Sequence, residues 1–176
     1  MNENMDFMKL AAERYSVRHF TDEVVEQELI NKILEAGHLA PTACNIQPQR
    51  ILVINSTEGI SKLRKCTLCH FNAPMAMLIC YDKNECWHRD YDGKSSGDID
   101  ASIVTTHMML EAYTLGVGTT WVMHFKPEAV REEFAIPDHI EPVALLVMGY
   151  PSESAKPFPG HSYFRPMEEI VSYNEF

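Results

Sequence analysis

Two polar clusters stand about one helix apart in this chain, and their order constrains the fold more than any other feature. The first is Arg14-Tyr15-Ser16-Val17-Arg18, and the second is Pro41-Thr42-Ala43-Cys44-Asn45-Ile46-Gln47-Pro48. Between them, Glu26 to Leu39 places Leu29, Ile30, Ile33, Leu34 and Gly37 on one face, the period of a single amphipathic helix. In an extended segment, residues two apart point to the same side, so the arginines and the intervening Ser16 converge. Forked guanidinium donors and a hydroxyl suit a phosphate. The amides of Asn45 and Gln47 both donate and accept, as a flat heterocycle with carbonyls and ring nitrogens requires. A phosphate reader beside a heterocycle reader points to a nucleotide-like cofactor.

The rest of the pattern alternates helices with short apolar runs. Asp6 to Glu13 reads as a short helix, Ser16 to Phe20 as extended, and Thr21-Asp22 as polar capping for the Glu26–Leu39 helix. Arg50 to Asn55, Met75 to Tyr81, Gly118 to Met123 and Val143 to Met148 read as strands. Thr57 to Lys65 is a helix capped by Ser56 or Thr57, Asp98 to Leu115 is the longest helix, ended by Gly116, and Pro127 opens a helix over Glu128 to Ala135. Asp82 to Gly97, rich in charge and aromatics, reads as a functional loop or lid. This order gives an α+β (mixed α/β) domain. With 176 residues, one domain over 1–176 has enough chain for a sizeable core. Its tail, about 151–176, carries Tyr163, Phe164, Ile170 and Val171 as docking anchors.

The formal charge of −10 argues against a nucleic-acid partner, which calls for a basic face. No apolar run approaches the roughly 18–20 residues of a membrane span. Residues 1–6 lack the basic and apolar regions of a signal peptide, so a cytoplasmic location is expected. The five cysteines, an odd number, favour free thiols. Cys66-Thr67-Leu68-Cys69-His70 has the spacing of a c-type haem attachment motif, and with Cys86 or His88 it resembles a zinc set. The expectation taken here is neither: the thiols fill core or helix-end positions, and no metal is expected.

At both polar clusters the chain resembles the nitroreductase-like FMN-dependent oxidoreductases. That family carries Arg-x-Ser-x-Arg/Lys near its start and Pro-Ser/Thr-x-x-Asn-x-Gln-Pro after the next helix. The likeness continues in order through Asp100-Ala101-Ser102-Ile103, Leu115 to Trp121, Met148-Gly149-Tyr150-Pro151 and Arg165 to Val171. It implies a central, mainly antiparallel or mixed sheet flanked by helices. It also implies an intertwined homodimer with FMN at the subunit interface and the tail docked on the partner subunit.

By the same resemblance, Arg14, Tyr15, Ser16 and Arg165 meet the phosphate and ribityl chain, and Arg18 meets the N1/O2 edge of the ring. Pro41, Thr42, Ala43 and Asn45 reach the flavin of the other subunit, with Gln47 bracing their loop. Trp121, Val122, Met123 and His124 cover the region of N5. Two departures stand out: Tyr163 replaces a basic residue of the family, with His161 nearby to compensate, and Met123-His124 replaces a frequent Gly-Gly pair. The activity implied is hydride transfer from NADH or NADPH through FMN to a nitroaromatic, quinone or related small acceptor. No side chain is assigned as a catalytic acid or base, because the cofactor carries the chemistry. The alternative is a flavin-binding storage or redox-sensing protein without efficient turnover.

Overall fold

The computed structural model describes residues 6–176. Residues 1–5, most of the stretch weighed against a signal peptide, lie outside the described residues. The elements follow the alternation of apolar patterns. In order they are α1 (Phe7–Glu13), α2 (Gln27–His38), β1 (Gln49–Ile54), α3 (Thr57–Cys66), β2 (Met75–Asp82), α4 (Gly97–Thr114), β3 (Gly118–Val122), α5 (Pro127–Glu133), β4 (Ile140–Gly149) and α6 (Met167–Ile170).

The four strands run β1-β2-β4-β3 across one sheet, and every neighbouring pair is antiparallel. The sheet is thus antiparallel throughout, within the mainly antiparallel or mixed sheet expected. Among the described residues, parallel pairing is confined to a lone bridge between Ser16 and Thr119 at its edge. Successive side chains on a strand face opposite ways, and β2 and β4 bury both sets. Met75, Met77 and Ile79 of β2, with Ala144, Leu146 and Met148 of β4, pack against Ile30 and Ile33 of α2 and Val104 and Met108 of α4. Ala76, Leu78 and Cys80, with Leu145 and Val147, pack against Leu63 and Cys66 of α3 and Val130 of α5. A two-sided burial of this kind explains why both strands read as unbroken apolar runs.

Ser56 caps α3, its hydroxyl oxygen accepting the Gly59 N–H at 3.0 Å, and Pro127 occupies the first turn of α5. Thr21-Asp22 do not cap α2. That helix begins at Gln27, with Glu26 at the cap position and no side-chain bond to the helix. The reason lies across the fold. The Thr21 N–H donates to the Tyr150 carbonyl at 2.9 Å, and the Tyr150 hydroxyl donates to the Glu26 carboxylate. The chain from Thr21 is therefore held extended along the end of β4, with Val25 buried beneath it. That bond lowers the Glu26 carboxyl and pushes the Tyr150 phenol up to about 12.

The 82–97 stretch is a tight double turn. The Asp82 carboxylate accepts the Asn84 N–H at 2.9 Å, the Arg89 N–H donates to Lys94 at 3.0 Å, and His88 bridges Ser95. Beyond Tyr150 the tail runs over the surface and leaves Tyr163, Phe164, Met167, Ile170 and Tyr173 exposed. No helix among the described residues is long and apolar enough to cross a membrane.

Candidate active site

The first cluster hangs on the edge strand β3. The Val17 N–H donates to the Thr119 carbonyl at 2.9 Å, and the Thr120 hydroxyl donates back to the Val17 carbonyl. Val17 is buried, so its extended neighbours Ser16 and Arg18 face the other way. The close fit requires Gly118, where a Cβ would lie 2.7 Å from Val17 Cγ2. Arg14 stands at the C-cap of α1 in extended conformation, half-buried like Tyr15 and Ser16.

Neither Arg14 nor Arg18 meets a carboxylate among the described residues: Glu13 instead faces Lys9 at 3.9 Å. Arg18 Nη1 donates to the Ser16 carbonyl at 3.2 Å, and its guanidinium carbon stands 5.9 Å from the centroid of the Phe71 ring. His161 of the tail reaches this cluster. Its Nε2 lies 3.1 Å from the Ala12 carbonyl, and its ring meets Tyr15 edge-on with centroids 6.3 Å apart. Arg165, by contrast, is exposed and faces Glu169 at 3.5 Å.

The second cluster is a short 3-10 turn, Ala43–Asn45, with an unusual backbone. Cys44, Asn45 and Gln47 have φ of 51°, 54° and 58°. Asparagine tolerates the left-handed region, whereas Cys44 and Gln47 are held there at a cost. The Gln47 N–H donates to Thr42 Oγ1 at 3.0 Å and the Asn45 N–H to the Thr42 carbonyl at 3.0 Å. Gln47 Nε2 donates to Asn45 Oδ1 at 3.2 Å, so Gln47 braces the Asn45 amide. From outside, the Ala43 N–H donates to Asp100 Oδ1 at 2.9 Å, and the other carboxylate oxygen accepts the Ser96 hydroxyl at 2.7 Å. Asp100 is 2% exposed in the first turn of α4. An acidic residue in the first turn of a long helix suits the helix dipole, and Asp100 also opens the Asp100–Ile103 stretch of the family resemblance.

The third stretch continues β3. Trp121 is half-buried, Val122 buried, and Met123 and His124 exposed. The Thr67 hydroxyl donates to the His124 carbonyl at 2.5 Å, and the Lys126 N–H donates to the Cys66 carbonyl at 2.9 Å. Arg14–Arg18 and Trp121–His124 are thus gathered by one strand. No hydrogen bond or ion pair among the described residues joins them to Thr42–Gln47. A groove of about 440 Å³ runs along α4 past Ile99, Ile103 and His107 and includes none of the predicted flavin residues.

Among the described residues, no three or more His, Cys, Asp or Glu side chains gather to hold an ion. Cys66 is buried with its thiol against the Lys62 carbonyl at 3.3 Å. Burial, with Glu133 adding, raises its pKa and keeps it a thiol rather than a thiolate.

The chain is an α+β protein with one polar cluster hung on β3 and a second in a loop tied to α4. The Nitroreductase family model matches residues 11–74 and 70–150, and this chain belongs to the nitroreductase family. It is 46% identical to a nitroreductase family protein of Clostridium difficile 630 whose crystal structure superposes with a TM-score of 0.92, covering 98% of this chain and 100% of that one. An FMN-dependent nitroreductase of Clostridium difficile R20291 is 26% identical, with a TM-score of 0.79 over 97% of this chain and 100% of that one. A Bacillus subtilis (strain 168) protein named FMN reductase (NAD(P)H) is 29% identical over 189 residues, 97% of this chain and 74% of that relative.

Proposed function

We propose that this protein is an FMN-dependent NAD(P)H oxidoreductase that reduces a nitroaromatic, quinone or related small acceptor. The observation that carries this is the pair Arg14 and Arg18, two arginines astride Ser16 without a carboxylate partner among the described residues, in a chain of net charge −10. Positive charge left unpaired on an acidic protein calls for an anionic ligand. The amides of the Thr42–Gln47 loop, preset by Asp100, fit a ring with carbonyls and nitrogens. The names of the two relatives above, an FMN-dependent nitroreductase and an FMN reductase, support the same cofactor.

In this reading Arg14, Ser16 and Tyr15 hold the phosphate and ribityl chain, and Arg165 joins them from the tail. Arg18 sets a fixed positive charge beside the N1/O2 edge, and Trp121 to His124 cover the region of N5. Bound FMN supplies the two-electron chemistry between nicotinamide and acceptor. The protein binds, orients and limits access, and no side chain acts as acid or base. The Thr42–Gln47 loop serves the flavin of a partner subunit, so the working unit is a homodimer of single-domain chains. The exposed aromatics of residues 151–176 cover that partner. Free thiols suit a cytoplasmic setting.

A storage or sensing role is the second reading, favoured by Met123. Its side chain is 69% exposed where it would stand near the reactive ring atom and narrow the approach of a donor. The experiment for both is equilibrium titration with FMN followed by flavin fluorescence. Saturable binding with one FMN per chain supports the reading, and no binding overturns it.

A further inference from the structure

The Cys66–Asn72 segment, whose cysteines and histidine gather no metal site among the described residues, touches two of the three stretches of the proposed site, Arg14–Arg18 and Trp121–His124. At one end, the Thr67 hydroxyl donates to the His124 carbonyl at 2.5 Å and accepts the Cys69 N–H at 2.9 Å, while the Cys66 carbonyl takes the Lys126 N–H at 2.9 Å. At the other end, Phe71 lies beneath the Arg18 guanidinium, 5.9 Å from it. Phe71 and Asn72 hold φ of 48° and 52°. A bulky aromatic in the left-handed region is an outlier, sustained only where its surroundings over-determine it. The surroundings are evident: the Phe71 ring packs on the buried cluster of α3, α5 and the sheet, and the Asn72 N–H donates to His70 Nδ1 at 3.0 Å.

We infer that Cys66–Asn72 is a positioning element for the redox-active edge of the flavin, with Phe71 holding Arg18 and Thr67 holding the backbone at His124. The inference rests on the FMN reading above. Arg18 is an exposed side chain with many rotamers. Its Ser16 contact fixes only one end of the fork, and the ring face beneath supplies a second restraint of cation–π type. A cation held in place stabilises the reduced cofactor more than a mobile one, because no reorganisation is needed when charge develops. Phe71 and Thr67 therefore act through Arg18 and His124, and neither touches the cofactor.

The test is the two-electron midpoint potential of the FMN-loaded full chain, compared across Phe71→Leu, Phe71→Trp, Arg18→Gln and the Phe71→Leu/Arg18→Gln double variant. Phe71→Leu should lower the preference for reduced over oxidised FMN by roughly three- to tenfold. Tenfold corresponds to about 30 mV for a two-electron couple. Phe71→Trp should retain the wild-type potential, and the double variant should match Arg18→Gln alone. An unchanged potential in Phe71→Leu overturns the inference. So does an equal fall in the Leu and Trp variants, or additive shifts in the double variant, since each is the mark of a merely structural residue.

Thr67→Val should alter the visible spectrum of bound FMN and Thr67→Ser should restore it. An unaltered Thr67→Val spectrum removes Thr67 from the proposal. A crystal structure of the FMN-bound protein supplies a check that needs no variant: an Arg18 guanidinium displaced from the Phe71 ring overturns the inference. Failure of the wild type to bind FMN is read separately, in the titration, and would sink the functional reading first.

Discussion

Asp100 accepts a 2.9 Å hydrogen bond from the backbone N–H of Ala43, 57 residues earlier in the chain. Through that bond the long helix α4 fixes a loop whose backbone is otherwise unfavourable. Its other oxygen is committed to Ser96, so the carboxylate is satisfied on both sides although it is buried. Asp100→Ala should leave the Ala43 N–H and the Ser96 hydroxyl without an acceptor, at a cost of about 1–3 kcal/mol per unsatisfied group. Urea denaturation would show a lowered midpoint, and FMN affinity should fall with it. Asp100→Asn keeps an acceptor for Ala43 and should lose less.

Arg14→Ala should weaken FMN binding by about 1.5–3 kcal/mol, the usual worth of a hydrogen bond to a charged group. The affinity should also become less sensitive to salt, since one cation has left the site. Fluorescence titration at two ionic strengths measures both. Unchanged affinity would remove Arg14 from the phosphate site.

Gly118→Ala tests how the first cluster is held. The new Cβ would lie 2.7 Å from Val17 Cγ2 and 3.0 Å from Pro151 Cγ, so either β3 or the Ser16 segment must move. Overpacking of this kind costs about 1–3 kcal/mol. The expected signature is a lower Tm together with weaker FMN binding, because Ser16 and Arg18 flank the displaced Val17.

Much of the architecture was legible in the sequence. Met75–Tyr81 and Val143–Met148 stood out because both faces of those strands are buried, and α2 because its apolar stripe keeps one face. The strand order was hidden, since β4 inserts between β2 and β3 by pairings that leave no local mark. The absence of parallel neighbours was hidden for the same reason. Thr21-Asp22 misled as a cap because Tyr150, far along the chain, binds Glu26 and keeps the chain extended.

At the site, the residue types of the two clusters pointed to their chemistry. The left-handed turn at Cys44, Asn45 and Gln47 did not show, having no glycine to announce it. Asp100 stood in the sequence as a helix-start acid and as part of the Asp100–Ile103 resemblance, but neither showed that it binds the Ala43 N–H. Cys66-Thr67-Leu68-Cys69-His70 has the spacing of a metal motif, and its hydrogen bonds run to Lys62, His124 and Asn72.

His70 gives the segment a pH dependence. Burial, with the Arg64 charge adding, holds its pKa below the usual imidazole value of 6.5. The folded protein therefore keeps the ring neutral, with Nδ1 accepting the Asn72 N–H. In the unfolded chain the ring protonates at its ordinary pKa. The unfolded state thus binds more protons between the two values, and stability rises with pH there. This contribution is fully present above about pH 6.5 and is lost progressively as pH falls toward the depressed folded value. Urea unfolding from pH 7.5 down to pH 5 should show the fall, and His70→Asn should flatten it. An equal slope in both proteins would discharge His70 from that role.

This chain is expected to bind FMN and to reduce it with a nicotinamide donor. The most direct test is to load the pure protein with FMN, exclude oxygen, and add NADH or NADPH while following the visible flavin absorbance. Rapid bleaching, reversed on adding a nitroaromatic or quinone, is the predicted result and names the donor. A spectrum that persists with both nucleotides would overturn the nicotinamide-dependent oxidoreductase activity and leave a flavin-holding protein.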